Sequence, residues 1–121
     1  MKILVIEDEQ DCCDLLKDQF SKIHSVTIFS NSKKAFDHYK SNQDYDVIIT
    51  DYLMPKLNGL ELIKKVLRLN RKQHFIMTSG DFSENFMDSF GKLSIHIPVI
   101  KKPYDLDHLS ILLEIIPAGI E

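Results

Sequence analysis

Five short apolar runs, each followed by a stretch of helical spacing, constrain the fold of this chain more than anything else in it. The runs are Lys2 to Ile6, Ser25 to Phe29, Asp46 to Thr50, His74 to Thr78 and Ile97 to Ile100. The third carries Val47, Ile48 and Ile49 with little alternation, the pattern of a strand buried on both faces of a parallel sheet. Between the runs, Cys12, Leu15, Leu16, Phe20 and Ile23 recur at the helical period, as do Ala35, Phe36 and Tyr39, then Leu60, Ile63, Val66 and Leu67. A weaker set surrounds Phe86, Met87 and Phe90, and the last comprises Leu106, Leu109, Leu112, Leu113 and Ile116. Ser30-Asn31-Ser32 supplies a cap for the second helix, Asn58-Gly59 opens the third, and Pro117 with Gly119 stops the last.

Repeated strand-helix units imply right-handed crossovers and a parallel sheet covered on both faces. The expected fold is therefore α/β, a flavodoxin-like doubly wound (βα)5 with a parallel five-stranded sheet. Its order, 2-1-3-4-5, is adopted as the common solution for such units and is not read from the residues. With 121 residues and 44% hydrophobic content, a single domain over residues 1–121 is expected.

That order brings the residues after the first and third strands into one crevice, and here they are Glu7, Asp8 and Asp51. Carboxylates crowded together repel by roughly 4 kcal/mol per close pair at an effective dielectric near 20. A hard divalent cation resolves that repulsion, and Mg²⁺ suits a site of two or three carboxylates, a backbone carbonyl, waters and a phosphate oxygen. A phosphate oxygen points to phosphoryl transfer, which also needs hydrogen-bonding and positive groups on the equatorial oxygens. Ser79 after the fourth strand and Lys102 after the fifth supply them, with Gly80 leaving space and Pro103 fixing the lysine's backbone.

Several classes are disfavoured. A net charge of -3 gives no electrostatic footprint for nucleic acid or an anionic membrane, and the lysine pairs at 33–34, 64–65 and 101–102 read as solvated faces. Cys12 and Cys13, adjacent in a helix, bridge only with strain and indicate a reducing compartment; no span or signal segment is present, so a cytoplasmic location is expected. The histidines at 24, 38, 74, 96 and 108 lack metal-ligand spacing. Glu7 and Asp8 taken alone are equally readable as charges at a helix N-terminus, with Glu9 or Asp11 able to fill the same place.

The motifs ILVIEDE, DVIITDYLMPKLNG, IMTSG and VIKKPYDLDHL, in that order, resemble the receiver domain of bacterial two-component response regulators over essentially all of residues 2–116. The resemblance implies that Asp51 is the phosphoacceptor, receiving its phosphoryl group from a histidine kinase or a histidine phosphotransfer protein. It implies Mg²⁺ held directly by Asp8, Asp51 and the carbonyl of Leu53, with Glu7 acting through water, and Ser79 and Lys102 holding the phosphoryl oxygens. The output would be a switch of the face formed by the fourth helix, fifth strand and fifth helix, read by a downstream protein or by a second copy in a phosphorylation-dependent homodimer. No enzymatic activity is expected beyond the domain's own phosphorylation and dephosphorylation.

Three departures matter. Val99 stands at the switch position where many members carry Tyr or Phe, Glu7 replaces the more frequent Asp, and Leu53 and Asp81 flank the path of hydrolytic water. Leu53 cannot orient that water, so slow self-dephosphorylation is expected. It also disfavours an aspartate-nucleophile phosphatase, which wants a second acid there. A flavin or nucleotide binder would need a Gly- or Ser-rich phosphate loop after the first strand, where the acidic EDEQD stands. A degenerate receiver acting as a phosphorylation-independent docking module is the remaining alternative. The start of the first strand at Lys2 favours a free-standing protein over a domain of a larger polypeptide.

Overall fold

The computed structural model describes residues 1–54, 56–80 and 97–116. The expected fourth helix, with Asp81, Phe82, Phe86, Met87 and Phe90, lies outside the described residues, as do His96, Pro117 and Gly119. The described elements run β1 (Lys2–Ile6), α1 (Gln10–Phe20), β2 (Ser25–Phe29), α2 (Ser32–Ser41), β3 (Val47–Asp51), α3 (Gly59–Leu69), β4 (His74–Ser79), β5 (Val99–Lys101) and α4 (Leu106–Ile115), α4 being the expected fifth helix. The strands form one parallel sheet in the order β2-β1-β3-β4-β5.

Alternation along the strands divides the interior in two. Leu4, Ile6, Ile48, Phe75 and Met77 face α2 and α3, packing with Ala35, Tyr39, Leu60, Leu62, Ile63 and Val66. Ile3, Val5, Val47, Ile49, Ile76 and Ile100 face α1 and α4, packing with Leu16, Phe20, Leu109 and Leu113. All of β3 is buried.

Differences from the expected elements lie at their ends and faces. The third strand runs one residue further, so Asp51 is itself in the ladder, paired with Thr78. The fifth is shorter, beginning after Pro98, which has no N–H to give; its carbonyl still accepts from Met77 N at 2.9 Å. In α1 the buried stripe runs through Cys13, Leu16 and Phe20, the i, i+3, i+7 set. Leu15 falls on the open side and is 43% exposed, and Ile23, beyond the helix end, is 74% exposed. On α3, Leu62 joins the buried set while Leu67 is only half-buried.

The helix starts follow the chemistry of their first residues. Asn31 Oδ1 accepts from Lys34 N at 3.0 Å. Asn58 and Glu61 form a reciprocal capping box, Asn58 Oδ1 accepting from Glu61 N at 2.9 Å and Glu61 Oε1 from Asn58 N at 3.0 Å.

Candidate functional site

Three strands stop on the same edge, and the alternation that builds the α1 side of the core carries on into the site. Ile3 and Val5 are followed by Glu7, Val47 and Ile49 by Asp51, and Ile100 by Lys102. Backbone ladders fix these termini: Glu7 N donates to Phe29 O at 3.0 Å, Tyr52 N to Thr78 O at 2.9 Å, and Lys102 N to Ser79 O at 2.9 Å. The Lys102-Pro103 peptide bond is cis.

Gly59 explains why a glycine stands eight positions after Asp51. A Cβ there would lie 2.6 Å from the Asp51 carbonyl oxygen and 3.0 Å from Tyr52 Cα, and Gly59 N donates to Tyr52 O at 2.8 Å. The first turn of α3 is thereby pressed against the end of β3, and only hydrogen fits between them. Lys56, in the same loop, adopts a left-handed φ of 71°.

Glu7 (1% exposed) and Asp51 (5%) are buried, whereas Asp8 is exposed. One carboxylate oxygen from each of Glu7, Asp8 and Asp51 lies within 4.8 Å of the others. The ammonium of Lys102 reaches the same place, with Nζ 3.0 Å from Asp51 Oδ2, 2.9 Å from Glu7 Oε1 and 2.9 Å from Glu9 Oε1. The hydroxyl of Tyr104 donates to Glu7 Oε1, and Glu9 N donates to Glu7 Oε2 at 3.2 Å. Glu9 occupies the N-cap position of α1 without a side-chain cap bond; its carboxylate goes to Lys102 instead.

The electrostatics follow from burial. Burial pushes the Asp51 carboxyl up to about 6; the hydrogen bond from Lys102 opposes this and the Glu7 charge adds to it. For Lys102, burial works against the charged form, but hydrogen bonds to Glu7, Glu9 and Asp51 outweigh it and hold the ammonium above the ordinary lysine range. Burial, and then the bond to Glu7, raises the Tyr104 hydroxyl, which stays protonated as a donor. Lys102 offsets part of the carboxylate repulsion from within the chain.

Among the expected site residues, Glu7, Asp8, Asp51 and Lys102 come together. Ser79, 1% exposed, ends β4 one step beyond the partner of Asp51. Behind it, nothing among the described residues lies within 4 Å of a Cβ added at Gly80. The Leu53 side chain is 58% exposed. Val99 packs with the α2 and α3 core, on the opposite sheet face from the carboxylates. Glu9 and Tyr104 were not expected in the pocket. Parity contains a signal for the second: Tyr104 follows Lys102 by two, as Lys102 follows Ile100.

The Glu7, Asp8 and Asp51 set offers carboxylate oxygens alone, which fits a hard divalent cation; a second set of Glu7, Glu9 and Cys12 shares Glu7 and adds a thiol.

The sequence pattern of the response regulator receiver domain matches residues 3–114. The chain belongs to that family, the receiver domains of two-component signalling. It is 36% identical over 73 residues to chemotaxis protein CheY1 of Helicobacter pylori, the match covering 59% of each chain. With response regulator SaeR of Staphylococcus aureus it shares 27% identity over 104 residues, covering 84% of this chain and 44% of SaeR. The chain thus spans 44% to 59% of the length of these relatives. Among solved structures, the receiver domain of Francisella response regulator 1452 superposes with a TM-score of 0.80 at 28% identity, covering 95% of this chain and 94% of that one. Vibrio cholerae CheY4 shares the fold at a TM-score of 0.84 and 18% identity, covering 96% and 98%. No helix among the described residues is long and apolar enough to cross a membrane.

Proposed function

We propose that the chain is a phosphorylation-controlled receiver in which Asp51 accepts a phosphoryl group from a phosphohistidine on a kinase or phosphotransfer protein. Asp51 Oδ attacks phosphorus, the P–N bond breaks, and the departing imidazole takes up a proton. Asp8, Asp51 and the Leu53 carbonyl would hold Mg²⁺, with Glu7 acting through water. Bound Mg²⁺ would offset the charge of the phosphoryl oxygens. Lys102 exchanges its contact with Asp51 for one with a phosphoryl oxygen, and Ser79 donates to another. Lys102 is suited to this exchange because Glu7 and Glu9 keep its ammonium at the pocket after the Asp51 contact is released.

Phosphorylation would be read by a downstream protein, or by a second copy of the chain, through the face built on β5 and α4. Val99 in place of an aromatic removes a rotamer switch there, leaving the signal to Ser79 and Lys102. The protein would work in the cytoplasm as one signalling domain, with no turnover beyond its own phosphorylation and dephosphorylation. The observation that supports this reading is the convergence of Glu7, Asp8, Asp51 and the Lys102 ammonium at one sheet edge.

Beryllofluoride with Mg²⁺ tests it: saturable binding lost in Asp51→Asn is expected, together with a phosphoryl mass increase on Asp51 from acetyl phosphate. Absence of both would leave a docking module that works without phosphorylation. Because Leu53 cannot orient water, phospho-Asp51 is expected to persist well beyond seconds in Mg²⁺, as measured by the decay of the phosphorylated mass. A lifetime of seconds would refute the role given to position 53.

A further inference from the structure

Tyr104 plays no part in the chemistry above, yet it makes a direct polar contact with the most buried carboxylate of the pocket. Its ring packs against the core between the sheet and α1 and α4, with Lys102 Nζ 5.8 Å from the ring centroid. Its hydroxyl donates to Glu7 Oε1. Glu7 is 1% exposed, so protein donors and not bulk water set the direction of its carboxylate. Those donors are the Tyr104 hydroxyl on Oε1, the Lys102 ammonium, which donates to Oε2 at 3.1 Å and lies 2.9 Å from Oε1, and the Glu9 N–H, 3.2 Å away, on Oε2. Lys102 shares its ammonium among Glu7, Glu9 and Asp51, whereas the Tyr104 hydroxyl donates to Glu7 Oε1.

Glu7 is one methylene longer than an aspartate, and a free glutamate of that reach could offer the cation another direct oxygen. The number of direct carboxylates discriminates between cations. Mg²⁺ keeps several waters and takes one or two carboxylates, whereas Ca²⁺ takes six to eight oxygens in flexible geometry. We propose that Tyr104 is a specificity-determining positioning residue: by holding Glu7 through Oε1, it keeps that carboxylate in water-mediated contact and biases the pocket toward Mg²⁺ over Ca²⁺. This rests on Glu7, Asp8 and Asp51 forming a divalent-cation site.

The test is calorimetric titration of the full chain with MgCl₂ and with CaCl₂. In Tyr104→Phe the ratio of Ca²⁺ to Mg²⁺ affinity is expected to rise about ten-fold, the fold-change equivalent to one hydrogen bond to a charged group. Adding Glu7→Asp to that variant shortens the acid and is expected to return the ratio to the wild-type value. Tyr104→Leu, which also lacks the hydroxyl, should shift the ratio in the same direction and serves if the Phe variant does not fold. An unmoved ratio, including a parallel fall of both affinities, overturns the proposal, because a merely structural role would move both together. If the wild-type protein binds neither cation, or Asp51→Asn leaves both affinities intact, the cation site itself falls. Binding of Mg²⁺ that depends on Asp51, with a ratio indifferent to Tyr104, overturns the role of Tyr104 alone.

Discussion

Asp51 is held in a state the folded chain disfavours, and that has a measurable sign. Its carboxyl sits near 6 in the fold against an ordinary 3.8, so between those values the folded state holds the extra proton and stability falls as pH rises. Above about 6 the full cost applies, on the order of 3 kcal/mol. Without Mg²⁺, Asp51→Asn is expected to raise the melting temperature by several degrees at pH 7 and by little at pH 4; a shift independent of pH would remove burial as its cause. Lys56 carries a second local cost, since a side chain at φ 71° is strained by about 1–2 kcal/mol. Lys56→Gly gives back part of this as unfolded-chain entropy, so a net gain of about 1 kcal/mol in denaturant melts is expected. At this scale the charged residues were legible in the sequence because they continue strand alternation: Glu7 after Ile3 and Val5, Asp51 after Val47 and Ile49. Glu9 was not, because an exposed N-cap residue reaches Lys102 only through its rotamer and the loop path.

At the level of elements, β3 and α3 meet in a tight seam beside the site. Adding one methyl at Gly59 drives it into the Asp51 carbonyl, 2.6 Å away, and backbone cannot yield as a flexible side chain does. Gly59→Ala is therefore expected to cost about 1–3 kcal/mol, the usual range for overpacking, and to weaken beryllofluoride binding by displacing Asp51. Gly80→Ala, with nothing among the described residues within 4 Å of its added Cβ, should leave the denaturation midpoint nearly unchanged. Equal effects of the two substitutions would contradict the packing described here. Element order and type were legible because the hydrophobic period changes between strand and helix. Element ends and helix phase were less so. Ile23 reads as part of the α1 stripe, but the helix stops at Phe20 and leaves it exposed. Where a helix ends depends on the seat its last turn finds on the sheet, which periodicity does not encode.

Across the whole molecule, Lys102 joins segments that lie far apart along the chain. Its ammonium ties the chain after β5 to Glu7 after β1, to Glu9 at the start of α1, and to Asp51 at the end of β3. With no hydrogen bond of its own to these groups, Lys102→Met would leave two buried carboxylates facing each other and the exposed Asp8. Removing one partner of a buried pair costs about 3–5 kcal/mol. The Lys102 side chain is 14% exposed and so partly screened, and about 2–3 kcal/mol is the expected loss for Lys102→Met without a divalent cation. A cation that binds only the folded state restores stability by mass action. Mg²⁺ should therefore raise the melting temperature of Lys102→Met more than that of the wild-type protein, since in the variant it meets carboxylates that no ammonium already offsets. Adding Asp51→Asn should recover part of the loss without Mg²⁺ and abolish most of the metal's effect. If Mg²⁺ stabilises the wild-type protein and Lys102→Met equally, the ammonium and the cation do not share the pocket, and charge balance between them is not what joins the strand ends.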